Sequence, residues 1–186
     1  MLNIVNLEEI QGLLLRVPVL IRELDARDPN FAGSVKAWLT QGEQILTSNR
    51  LTVAAQVAAL RGVLISAERG AVPSGMAFTK RTTTRTIKDA AAADVLRRAE
   101  ELMSSAIHAD TLRFAEGEKL TRQIVAVAHR KKLTDAPGVD KHPEILKTIW
   151  QAMVKDPDLA AATTHLVGLV GPHDVLILLD RMLPTL

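Results

Sequence analysis

A chain of 186 residues with 47% hydrophobic and 24% charged side chains is long enough for one ordinary domain and too apolar to be disordered. It has no cysteine, which excludes disulfides, a thiolate nucleophile and thiolate metal ligands. With two Trp, three Phe and no Tyr, its core must be Leu, Ile, Val and Ala, and a surface that stacks bases on aromatic rings is disfavoured.

The net charge of +2 hides an uneven layout. Residues 1–79 carry seven basic and seven acidic side chains, residues 80–132 twelve and seven, and residues 133–186 four and seven. A +5 middle thus lies between a neutral front and a −3 tail, which suits an acidic partner, the tail of a second copy included. No basic leader precedes the first apolar run, where Glu8 and Glu9 stand before Leu13, Leu14 and Leu15. Gln56 and Arg61 interrupt the apolar stretch 53–67, and His165, His173, Asp174 and Asp180 interrupt the C-terminal one. Neither reads as a membrane span, so a cytoplasmic location is expected.

In chain order, helical periodicity and helix punctuation dominate. Asn6 with Glu9 resembles a capping box for a first helix, and Pro18 restarts or kinks it toward Arg27. Asp28-Pro29 reads as the opening of the next helix, with Phe31, Val35, Trp38, Leu39, Ile45 and Leu46 as one apolar stripe ending near Asn49. Thr52 can cap a third helix with Val53, Val57, Leu60, Leu64 and Ile65 inward and Gly70 as its stop. Residues 71–85 break the pattern with Val72-Pro73-Ser74-Gly75 and a Thr/Lys/Arg-rich run, and read as a loop.

Thr86 can cap a long helix to about Leu133, continuous or broken near Asp110, with Gly117 an interior weak point of about 1 kcal/mol against Ala. Residues 134–142 read as a loop, and three short helices start at Pro143, Pro157 and Pro172. The fold class expected is all-α: a helical bundle with long central helices and short C-terminal ones. A single domain over residues 1–186 is the preferred organisation; a core of 1–133 with an appendage at 143–186 is the alternative.

Candidate chemistry is sparse. Arg122 and His129 lie seven residues apart, about two helical turns, so both polar tips share one face. An arginine there can hold a phosphate while a neutral histidine accepts a 2′-hydroxyl proton, with no metal. The spacing resembles the R-x4–6-H motif of HEPN-type ribonucleases, which are all-helical; Gln123 stands where that family often has Asn. The competing reading is a solvated helix end at which His129, Arg130, Lys131 and Lys132 complement the dipole.

His173-Asp174 invites comparison with HD-type metallohydrolases, but only Asp180 follows it, and Pro172 places the pair in a first helical turn where an Asp is stabilised anyway. Asp94, Glu101 and His108 recur every seven residues; a charged outer face with Asp94–Arg98 and Arg97–Glu101 pairs explains them better than a metal site. No phosphate-binding glycine loop or nucleophile elbow is present, and no cofactor or metal is expected.

Two binding surfaces remain. The basic segment offers Lys80, Arg81, Arg85, Lys88, Arg130, Lys131 and Lys132 to nucleic acid or an acidic partner. The C-terminal stripe offers Leu166, Leu169, Val170, Leu176, Leu179 and Leu183 either to a partner or second copy or to the chain's own core. The function expected is a non-enzymatic helical interaction module, an adaptor, regulator or self-assembling protein. A nucleic-acid-binding protein and a HEPN-like ribonuclease are the alternatives.

Overall fold

Eight α-helices, and no strand, form among the residues that the computed structural model describes, which are 1–72, 83–134 and 142–183, the side chains of His142 and Pro143 excepted. They are α1 (Ile4–Leu14), α2 (Val17–Asp25), α3 (Phe31–Ser48), α4 (Ala54–Glu68), α5 (Thr84–Arg130), α6 (His142–Lys155), α7 (Ala160–Val170) and α8 (Pro172–Met182). The fold is an all-α bundle with one long central helix, α5, of 47 residues. The chain divides into two compact units inside that helix: an N-terminal unit of Ile4–His108 and a C-terminal unit from Ala109 onward.

Apolar spacing builds the N-terminal unit. Ile4, Leu7, Ile10 and Leu13 recur at steps of three on α1 and are all buried. On α3, Phe31, Val35, Trp38, Leu39, Ile45 and Leu46 form the buried stripe that their periodicity calls for. The Trp38 indole donates to the Leu13 carbonyl at 2.9 Å, satisfying one of the acceptors that the end of α1 leaves without an intrahelical partner. Gly42 is where three helices meet: a Cβ there would lie 3.2 Å from Leu13 Cδ2 and 3.4 Å from Met103 Sδ. Ion pairs Lys36–Glu68 (2.7 Å) and Arg61–Glu43 (2.8 Å) flank the α3/α4 seam.

In the C-terminal unit the close approach falls at Gly117. A Cβ on this residue would lie 2.5 Å from Val170 Cγ1, with Leu178 and Leu166 next nearest. The glycine that weakens α5 locally is therefore what admits α7 against it. Thr121 donates to the Gly117 carbonyl at 2.7 Å, and Phe114, Ile124, Val125 and Ala128 complete the buried face of this part of α5. Gly171, at φ +90°, turns the chain through the 113° bend between α7 and α8.

Several helix ends differ from the sequence-based expectation. Asn6 lies inside α1, which begins at Ile4, and Val53 rather than Thr52 occupies the cap position of α4. The loop expected over 71–85 ends sooner, because Thr83 accepts the Thr86 N–H at 3.2 Å and α5 opens at Thr84; residues 73–82 lie outside the described residues. α5 then runs unbroken past Asp110. Helix α7 starts at Ala160, not at Pro157, because the Asp156 carboxylate accepts the Asp158 N–H at 3.0 Å and holds a turn first.

Four helices end in the same way. Arg27, Arg50, Gly70 and Lys132 all have positive φ, and each is followed by an N–H reaching five residues back, as in Leu51 N to Leu46 O and Leu133 N to Ala128 O. Only one of the four is glycine. At the others a cation beside the negative end of the helix dipole offsets part of the left-handed backbone cost.

No single helix among the described residues is long and apolar enough to cross a membrane.

Candidate interaction site

The N-terminal unit carries an open groove between α4 and α5, of about 580 Å³, lined by Gln56, Ala59, Leu60, Val63, Arg98, Glu101, Leu102 and Ser105. Its floor is apolar because Leu60 is buried and Val63 and Leu102 are half-buried in the seam between the two helices. Its rim is charged and ordered. Arg97 donates to Glu101 at 2.8 Å and to Asp94 at 3.3 Å, while Arg98 reaches Asp94 at 3.4 Å. Asp94, then Glu101, holds the Arg97 guanidinium above its ordinary pKa. Asp94 and Glu101, two of the three residues that recur every seven along α5, thus join the outer ion-pair lattice with Arg97 and Arg98. Among the described residues no group of three His, Asp or Glu gathers as metal ligands would.

The basic segment is divided by the fold. Lys80 and Arg81 lie outside the described residues. Arg85 donates to the Arg27 carbonyl at 2.7 Å and approaches Asp89 at 3.6 Å, so it ties the opening of α5 to the end of α2, and Lys88 is half-buried. Arg130, Lys131 and Lys132 sit at the other end of the 47-residue helix. Of these, Lys131 is engaged by Asp156 at 2.7 Å and by Asp158. Its hydrogen bonds, that to Asp156 first, raise the ammonium pKa, and Lys131 holds the Asp156 carboxyl below the usual carboxylate range. The basic middle and acidic tail therefore meet within one chain. Lys132 caps α5, and Arg130 is exposed, its Nε directed at the Ala126 carbonyl at 3.4 Å.

Arg113, a further cation of the basic middle, is held within the C-terminal unit. Its guanidinium pairs with Asp110 at 2.8 Å, lies 4.5 Å over the Phe114 ring and reaches the Leu169 carbonyl at 3.5 Å, with only 13% of the side chain exposed. An arginine next to an aromatic and three residues after an aspartate is the available sequence signal for such a clamp.

In the C-terminal stripe Leu166, Val170 and Leu179 are buried, and Leu169, Leu176 and Leu183 are half-buried. Leu166 and Val170 fill the space that Gly117 leaves. The apolar side chains that do face outward lie elsewhere, with Leu15, Val19 and Ile21 near the α1–α2 turn and Leu112 on α5. Arg122 and His129 are both exposed, and His129 Nδ1 lies 3.2 Å from the Thr134 hydroxyl. His173 is exposed, whereas Asp174 is buried in the first turn of α8, and its Oδ1 has no hydrogen-bond partner among the described residues.

No protein family, curated protein or solved structure matches this chain.

Proposed function

We propose that the protein is a non-enzymatic helical interaction module that receives an amphipathic helix of a protein partner in the α4/α5 groove. The observation that carries this is the groove itself: an apolar floor at Leu60, Val63 and Leu102 lies open between Gln56 on one helix and the Arg98 and Glu101 rim on the other. A helix lays apolar side chains three and four apart into such a channel and meets the charged rim with its polar flank. Three cations outside the groove support the same reading, since Arg85, Arg113 and Lys131 are engaged within the chain.

A photo-crosslinking residue at Ala59, an exposed position on the groove wall, tests the proposal. Irradiated alone and in a lysate of the source organism, it is expected to form a protein adduct that Leu102→Asp abolishes. Adducts to nucleic acid in place of protein, or none at all, would overturn the proposal.

A further inference from the structure

A second recess, of about 730 Å³, lies within the N-terminal unit where the end of α2 and the opening turns of α3 and α5 converge. Its apolar wall is Leu24, the fully buried Phe31, Ala90 and Ala93. The two alanines are three apart on α5, so they share a face, and their short side chains leave the space beside Phe31 open. Charged groups of both signs line the same recess, with Arg27 and Asp28 on one side and Arg85 and Asp89 on α5.

Two of these charges are unanswered, and they are of opposite sign. Asp89 Oδ1 is closed to solvent and has no hydrogen-bond partner. Arg85 approaches only the other oxygen, at 3.6 Å, which is too long for a hydrogen bond. It is held there because its Nη2 donates to the Arg27 carbonyl at 2.7 Å. A carboxylate left in this state costs free energy until a donor reaches it. Its two oxygens share one charge, so a cation on the open side compensates the sealed oxygen as well. The Arg27 guanidinium is exposed and makes no hydrogen bond or ion pair among the described residues. Asp28, the nearest carboxylate in the chain, instead accepts the Asn30 N–H at 2.7 Å.

We propose that this recess binds a free α-amino acid with an apolar side chain. Asp89 receives the ammonium, Arg27 the carboxylate, and Leu24, Phe31 and the two alanines the side chain. An apolar hollow with a few convergent polar groups is the usual form of a small-molecule site. A plain amine leaves Arg27 unanswered and a plain acid leaves Asp89 unanswered, so the need for both head groups is the signature of the site. The recess is separate from the α4/α5 groove, and the inference goes beyond the function proposed for that groove.

Nuclear magnetic resonance titration of the whole chain with leucine tests the inference, with phenylalanine as a second ligand. The controls are isoamylamine, which is leucine without its carboxylate, 4-methylpentanoate, which lacks the amine, and glycine, which lacks the apolar body. Leucine and phenylalanine are expected to shift the amides of residues 24–31 and 85–93, and the three controls to bind about tenfold more weakly or worse, the loss of one charge-assisted contact or of the buried side chain. Asp89→Asn should remove the advantage of leucine over 4-methylpentanoate, and Arg27→Gln its advantage over isoamylamine. A variant that simply unfolds would not separate the two ligands in this way. Leu102→Asp, in the α4/α5 groove, should leave leucine binding unchanged.

No shift with leucine or phenylalanine at millimolar concentration would overturn the inference. So would an amine or an acid that binds as well as leucine, because one head group would then suffice. Shifts confined to the α4/α5 groove would overturn it too, while leaving the function proposed for that groove intact.

Discussion

The two parts of α5 are held by different physics. In the N-terminal unit its buried face is Ala91, Ala92, Val95, Leu96, Ala99, Met103 and Ile107, a smooth apolar strip with nothing polar in it. In the C-terminal unit the same helix is held by a missing side chain at Gly117, a clamped arginine at 113 and a lysine at 131 joined to two aspartates. The first arrangement depends on summed volume and tolerates exchange among apolar residues of similar size. The second adds to an apolar face of Phe114, Ile124, Val125 and Ala128 a dependence on single atoms in single places. One helix can thus respond to mutation in two distinct ways along its length.

The largest expected effect sharpens the apolar side of this contrast. Trp38 is fully buried, and Trp38→Ala would remove both its packing and its bond to the Leu13 carbonyl, for a loss of about 3–5 kcal/mol. Hydrogen exchange should show Thr84–His108 losing protection more than Ala109–Arg130; equal losses along α5 would break the contrast.

Gly117→Ala comes next and runs against helix propensity. Alanine favours the helix by about 1 kcal/mol, but its Cβ would sit 2.5 Å from Val170 Cγ1. Overpacking in a close-packed site typically destabilises by about 1–3 kcal/mol, so the net change is expected to be a loss confined to the C-terminal unit. In the Gly117→Ala background, Val170→Ala should do less harm than it does alone, a coupling that a double-mutant cycle reads directly. A stabilised Gly117→Ala would show that α7 yields freely at this point.

The smallest effect is that of pH on the Lys131–Asp156 pair. The folded Asp156 carboxyl has a lowered pKa, so its contribution is complete above the unfolded carboxylate value of about 3.9 and is lost as pH falls through the lower folded value. Lys131 has the opposite sign: its raised pKa gives a contribution that is complete below about 10.4 and lost only as pH rises through the folded value. Between these limits stability should be flat in pH as far as this pair is concerned. Asp156→Asn should therefore narrow the gap in protection between wild type and variant on acidification, read at the end of α5. A gap unchanged across that acid range would show that the pair contributes nothing to holding the helix end.

Much of the architecture was legible because it follows from local chemistry. The three-and-four spacing of Leu7, Ile10 and Leu13, or of Val35, Trp38 and Leu39, requires a helix with one buried face whatever its neighbours are. Pro18, Gly70, Asn49 and Pro172 stand at helix ends because their backbone or side chains disfavour continuation or favour a start. The i,i+4 lattice at Asp94, Arg97, Arg98 and Glu101 is also local, since one helix supplies both partners.

What the sequence could not determine is which surfaces remain open. Leu166 and Leu112 are the same residue type, yet one is sealed against Gly117 and the other faces solvent, and nothing in their flanking residues separates them. Likewise Lys131 and Arg130 are adjacent cations, but only Lys131 comes within reach of Asp156 and Asp158. The sequence by itself determined that the chain is helical, where most helices turn, and that its basic excess lies within residues 80–132. The tertiary structure alone decided which of those charges are neutralised and which apolar side chains stay uncovered, because both depend on residues brought together from distant parts of the chain.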